Sequence, residues 1–127
     1  MPKFVPASVA ELSRIGLLAE LPGQTLMKLA AHMRREELEP GRGVIAEGEE
    51  GDRFYVLLSG LLAVSSRDLG ARRMLRPGDY FGEVAVALGV PRTASVTAMT
   101  RSTVASCDKA TFDEFLRPLF AEDAPAS

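Results

Sequence analysis

Arg92 and Glu83 stand close together in one short stretch, Tyr80-Phe81-Gly82-Glu83-Val84-Ala85-Val86-Ala87-Leu88-Gly89-Val90-Pro91-Arg92-Thr93-Ala94-Ser95-Val96. Arginine carries a permanent charge on a planar fork of donors that matches phosphate oxygens in pairs. A carboxylate repels a phosphate but accepts hydrogen bonds from a sugar hydroxyl. Glu83 to Leu88 has no Gly or Pro and suits a short helix, with Gly82 before it and Gly89 after it as punctuation. The free N–H groups at such a helix start attract an anion. Gly82 has no side chain to keep a ligand from its backbone, and Pro91 sets the chain direction just before Arg92. Together these groups suit a phosphosugar. The same two side chains are equally able to form a structural salt bridge, and Val84, Ala85, Val86 and Ala87 would be ordinary core in either case.

Whatever holds this stretch is small. The chain has 127 residues, 46% of them hydrophobic, enough for one domain with a real core. Its 15 basic and 17 acidic side chains leave a net charge of −2, which argues against a protein built to grip nucleic acid. The basic pairs Arg34-Arg35 and Arg72-Arg73 read as solvated surface. With one cysteine, Cys107, and one histidine, His32, the chain has no internal disulfide and no Cys/His zinc site. Cys107 reads as a small buried hydrophobe near a strand end and His32 as a helix-surface residue. No apolar run is long enough to span a membrane and no signal peptide is evident, so a cytoplasmic location is expected.

The first third reads as helix. Ser8 to Glu11 has capping-box spacing, and Gly16 keeps that helix short. Pro22 suits the start of a second helix, on which Leu26, Leu29, Ala30 and Met33 share a face. From about Leu38 onward, Gly and Pro recur between brief apolar runs at Val44-Ile45, Phe54 to Leu58 and Leu61 to Val64. That pattern predicts an antiparallel sandwich or barrel. Thr93 to Ala98 alternates as a strand with one buried face, carrying Ala94, Val96 and Ala98, and Thr103 to Cys107 reads as the last strand. Asp108 is placed to cap a final helix whose stripe is Phe112, Phe115, Leu116, Leu119 and Phe120. Pro118 is expected to kink or end it near Arg117, and residues 1–7 and 121–127 are expected to fray.

Several linked motifs stand in order: Pro40-Gly41, Glu47-Gly48-Glu49, Gly51-Asp52, Phe54-Tyr55-Val56, Ser59-Gly60 and Pro77-Gly78-Asp79-Tyr80-Phe81-Gly82-Glu83. With Phe81 to Val96 they resemble the cyclic-nucleotide-binding domain family, from about Ile15 to Leu116. Linked motifs are more specific than one Gly-rich loop. The resemblance implies one domain over residues 1–127, with its core at about 15–120. Its fold would be an eight-stranded antiparallel β roll, jelly-roll-like, with N-terminal helices, a short phosphate-binding helix and a C-terminal helix. It implies that Arg92 pairs with the phosphate oxygens and that Glu83 accepts from the ribose 2′-OH. Gly82 and Val84 would lie close by, and Ala85 and Thr93 would offer backbone N–H groups. Val64 and Leu75 are loose candidates for the base pocket, with core packing the stronger reading for both. Gly41, Gly48, Gly51, Gly60 and Gly78 read as turn glycines.

The ligand implied is cAMP, with cGMP the alternative because the Thr93 hydroxyl is placed to meet a guanine amino group. No cofactor and no metal are implied. Many family members continue into a helix that closes over the base, whereas this sequence stops soon after Phe120, so either it is a fragment of a longer protein or a lid is missing or supplied by a partner. No helix-turn-helix follows, so no nucleic acid is expected to bind this chain. The expected role is a non-catalytic sensor that signals, through the Phe112 to Phe120 helix, to an effector outside the chain: a transporter, channel, kinase or other fused module. The rival readings are a domain of the same fold that acts only as a protein-interaction module, and a small β-barrel enzyme. The enzyme is disfavoured because neither clustered metal ligands nor a nucleophile–base pair is present.

Overall fold

The computed structural model describes residues 5–67 and 73–122, without the side chains of 121 and 122. Ser8 closes the expected capping box of α1 (Val9–Leu12): the Glu11 N–H donates to Ser8 Oγ at 3.0 Å and the Ser8 N–H donates to Glu11 Oε1 at 3.1 Å. Gly16 does more than end that helix, because it opens another, α2 (Gly16–Ala19), before α3 (Gly23–His32) starts after Pro22. Leu26, Leu29 and Ala30 are buried on α3, while Met33, also buried, has left the helix as its extended C-cap.

Eight strands follow in two antiparallel sheets. One has the order β1 (Arg34–Leu38), β8 (Ser102–Asp108), β3 (Arg53–Ser59), β6 (Tyr80–Phe81), and the other β2 (Gly43–Ile45), β7 (Ser95–Ala98), β4 (Leu62–Ser65), β5 (Arg73–Leu75). This is the expected β roll. Strand β1 begins before the expected change at Leu38. Its Arg34-Arg35-Glu36-Glu37 run lacks apolar alternation because the charges are satisfied laterally, Arg35 by Glu11 at 3.1 Å, Glu37 by Arg101 at 2.8 Å and Glu36 by Arg42 at 2.8 Å. Strand β7 starts at Ser95, two residues later than expected, with Val96 and Ala98 buried.

The first sheet is covered on both faces, which is why β3 reads as a continuous apolar run. Tyr55 and Leu57 point between the sheets with Leu38, Leu62, Leu75, Phe81, Val96 and Val104. Phe54 and Val56 point the other way, with Ala105 and Cys107, onto the helices. Residues 5–7, expected to fray, pair with the chain at 33–35: the Ala7 N–H donates to Met33 O at 2.9 Å, the Arg35 N–H to Val5 O at 2.7 Å, and Ala7 is buried.

Asp108 caps the C-terminal helix as expected, accepting from the Thr111 N–H at 2.9 Å. That helix runs through α5 (Lys109–Thr111), a π-helical turn (Phe112–Leu116) and α6 (Arg117–Glu122). Pro118 does not end it. The π turn delivers the chain to Arg117, and Pro118 then occupies the first turn of α6, where a missing N–H costs little. Phe112 and Leu116 are fully buried, and Phe115, Leu119 and Phe120 pack on the same cluster. The expected fraying at 121–127 meets helix as far as Glu122, while 123–127 lie outside the described residues. Among the described residues, no helix is long and apolar enough to cross a membrane.

Candidate functional site

The predicted short helix is α4 (Glu83–Leu88), entered through Gly82 at φ 88° and left through Gly89 at φ 66°. Both glycines stand in the left-handed region that side chains avoid. The segment after it is held by the loop that precedes β3. The Gly48 N–H donates to Arg92 O at 2.9 Å and the Arg92 N–H donates to Glu49 O at 2.7 Å, beside a bridge between Glu50 and Pro91. Arg92 is therefore fixed at its backbone by two hydrogen bonds.

Its side chain is fixed as well. Arg92 is only 6% exposed, unusual for an arginine. Nη1 donates to Gly82 O at 3.2 Å and Nη2 to Arg53 O at 3.0 Å. The guanidinium carbon lies 5.9 Å from the centroid of the Tyr55 ring. Burial lowers the Arg92 pKa from its ordinary value, opposed by Tyr55, Asp52 and Glu49, and an arginine so placed stays charged. Among the described residues, no carboxylate forms an ion pair with it. The salt bridge with Glu83 allowed by the sequence does not form. Glu83, half-buried, makes no hydrogen bond or ion pair with a described residue.

Both side chains line one cavity of about 220 Å³. Gly82, Val84, Ala85, Thr93 and Val64 line it with them. Leu75 does not. It is 2% exposed, opposite Leu62 across β4–β5, and belongs to the core between the sheets. It faces the core because β5 is an edge strand whose inward residues are needed to close that core. Ile45, Arg73, Tyr80, Phe81, Ala94 and Val96 complete the walls and were not expected there. Only strand register could have pointed to Arg73, which pairs with Val64 across β4–β5.

Gly51, read as a turn glycine, has another task. A Cβ on it would lie 2.5 Å from Ala85 Cβ, 2.6 Å from Arg92 Nε and 2.7 Å from Arg92 Cζ. Unlike Gly41, Gly48, Gly60 and Gly78, it has no positive φ. Gly51 is the space in which the guanidinium lies. Among the described residues, no cluster of His, Cys, Asp and Glu could hold a metal ion.

A buried cation held by backbone carbonyls and a half-buried carboxylate on one small cavity are the features to compare with known proteins. The cyclic nucleotide-binding domain family matches residues 35–118. The chain belongs to that family. Similar curated proteins include the cAMP-dependent protein kinase regulatory subunit of Eremothecium gossypii, 41% identical over 108 residues, or 85% of this chain and 24% of that protein. The regulatory subunit of Yarrowia lipolytica is 40% identical over 109 residues, 85% of this chain and 29% of that one. This cyclic nucleotide-binding domain thus spans roughly a quarter of the length of those relatives. Among solved structures, cAMP-bound PfPKA-R superposes with a TM-score of 0.84 at 29% identity, covering 90% of this chain and 40% of the other. The regulatory subunit of a cAMP-independent protein kinase A from Trypanosoma brucei also superposes at 0.84, with 28% identity over 90% of this chain and 42% of the other.

Proposed function

We propose that the domain is a non-catalytic cytoplasmic sensor that binds cAMP and reports to an effector carried outside this chain, a protein kinase catalytic subunit in the reading favoured by the relatives. The observation that carries the proposal is Arg92, a charge buried at 6% exposure against two backbone carbonyls, with no described carboxylate in ion-pair contact. Asp52 and Glu49 act on this cation only from beyond ion-pair contact, a buried cation without a contacting anion is costly, and a phosphate in the adjoining cavity would supply one. Arg92 then binds the exocyclic phosphate oxygens. The Ala85 and Thr93 N–H groups add donors, and Gly82 lets the sugar lie against the backbone. Glu83, with no described partner, accepts from the ribose 2′-OH. Val64, Ile45 and Val84 offer apolar surface to the base. No cofactor is required.

Arg73 and Thr93 favour a second reading, cGMP. Both line the cavity, and an arginine is donor-only, so it suits the O6 and N7 acceptors of guanine and not the 6-amino group of adenine.

The route to the effector is the C-terminal helix. Arg117 Nη1 donates to Ala87 O at 3.2 Å and Lys109 Nζ to Val86 O at 3.5 Å, so both hold carbonyls of the phosphate-side helix α4, while Asp113 ties the two cations together at 2.6 and 3.1 Å. A shift of α4 on phosphate binding would be felt there directly.

Titration calorimetry with cAMP and cGMP, on wild type and Arg92→Ala, tests the proposal. Removing one partner of a buried charge contact costs on the order of 2–5 kcal/mol, so the variant should lose at least about 30-fold in affinity. The tighter nucleotide decides between the two readings. Wild type that binds neither at millimolar concentration would overturn the sensor and leave an interaction module.

A further inference from the structure

Arg92 rests on an aromatic platform. Tyr55 on β3 and Phe81 on β6 are direct cross-strand partners, and their rings stack at 4.9 Å with an interplanar angle of 3°. Tyr55 is 8% exposed and Phe81 5%. The Tyr55 ring also carries the guanidinium, 5.9 Å from its centroid. Two edges of that guanidinium are spent on Gly82 O and Arg53 O, and a guanidinium has five N–H donors. With one side against a ring and two donors engaged, the remaining donors have few directions left, and the cavity is one of them.

We infer that Tyr55 is a positioning residue for phosphate recognition, its ring face holding the Arg92 guanidinium with the free donors toward the cavity. This rests on the cyclic-nucleotide reading of the site. It supplies what the two carbonyls lack. Carbonyl bonds at Nη1 and Nη2 fix the fork in its plane, but a flat group can still tilt about the line joining them. The ring removes that tilt. The negative face of the aromatic quadrupole also partly offsets a charge that no described carboxylate contacts. The hydroxyl plays no part in this, and its pKa is raised mainly by burial, against the pull of Arg92 and Arg53. The platform is built by chain order as well as by pairing, since Phe81 is followed at once by Gly82, whose carbonyl takes the guanidinium edge.

The test separates ring face from ring shape. Tyr55→Phe keeps both and should hold cAMP affinity within about two-fold of wild type. Tyr55→Leu removes the face and should weaken binding about 3- to 30-fold, the range of a partly to fully desolvated cation–π contact. Because that variant also disturbs packing, a second series replaces Tyr55 by phenylalanine carrying increasing numbers of ring fluorines. These nearly conserve shape while weakening and then reversing the quadrupole, so affinity should fall stepwise with fluorine count. The Arg92 Nε–H resonance, read in ligand-free protein, should shift along the same series. Flat affinity and an unmoved resonance across the fluorinated series, or a Phe variant as weak as the Leu variant, would overturn the inference. If wild type binds neither cAMP nor cGMP while the resonance still follows fluorination, the nucleotide reading fails and Tyr55 is left as a support of Arg92 without a role in recognition, which overturns the inference as stated.

Discussion

Replacing Gly51 by alanine should disable the site without substituting any residue proposed to meet ligand. The new Cβ would lie 2.6 and 2.7 Å from Nε and Cζ of Arg92 and 2.5 Å from the Cβ of Ala85, all well inside van der Waals contact. Ala85 is buried on α4 and has little room to yield. Arg92 can yield, but only by giving up its bonds to Gly82 O and Arg53 O and its place on Tyr55. Forcing a methyl into a packed site costs about 1–3 kcal/mol. If that strain is relieved by expelling the guanidinium, nucleotide affinity falls about 5- to 150-fold. Gly41→Ala is the control, in a turn that does not hold Arg92. Its φ of 90° makes alanine strained there, but nothing lies within 4 Å of the added Cβ, so stability should drop while affinity stays. Calorimetric titration with cAMP and thermal unfolding of both variants give the two quantities. Wild-type affinity in Gly51→Ala, or an equal loss in Gly41→Ala, would refute the argument that Gly51 is the room Arg92 needs.

Three further outcomes are expected. Burial pushes the Cys107 thiol up to about 12, so at pH 8 the folded protein should resist iodoacetamide and react only once unfolded in urea; mass spectrometry reads this, and fast labelling of folded protein would contradict it. Asp108→Ala should cost about 1 kcal/mol by removing the cap of the C-terminal helix. The Asp108 pKa is lowered, first by the Thr111 backbone N–H, so the stability it adds is present above the ordinary carboxylate value and lost as pH falls through the folded one. Urea denaturation of variant and wild type should therefore converge in strong acid and differ at neutral pH. Amide exchange in Phe112–Leu116 should change when nucleotide binds; identical protection with and without ligand would remove the Lys109 and Arg117 contacts to α4 as the output route.

The parts of the fold legible in the sequence were those with local causes. The Ser8 and Asp108 caps, the apolar runs of β3 and β8, and the glycines around α4 all follow from short-range rules. So did the gathering of Arg92, Glu83 and Gly82 at one place, because they lie in one segment. What escaped had causes far away in the chain. Strand β1 hid behind Arg34 to Glu37 because its charges are matched by Glu11, Arg42 and Arg101 on other elements. Gly51 looked like any turn glycine until Arg92 was laid across it. Tyr55 and Arg73 reach the site through strand pairing, which periodicity does not reveal, and the same pairing took Leu75 into the core.

The π turn of the C-terminal helix has a further consequence. An Arg117 N–H that reaches back to Phe112 O, five residues away, marks one residue more than an α-helical turn holds. In an ordinary helix each residue advances the face by about 100°. Deleting one residue between Phe112 and Leu116 would let the segment wind normally and would turn all that follows by roughly that angle. Phe120, now 6.0 Å from Phe54 and 5.4 Å from Tyr80 between ring centroids, would swing off the sheet. The extra residue thus acts as a phase setting, and it keeps the last turn of the helix aimed at the strands that carry Phe54 and Tyr80.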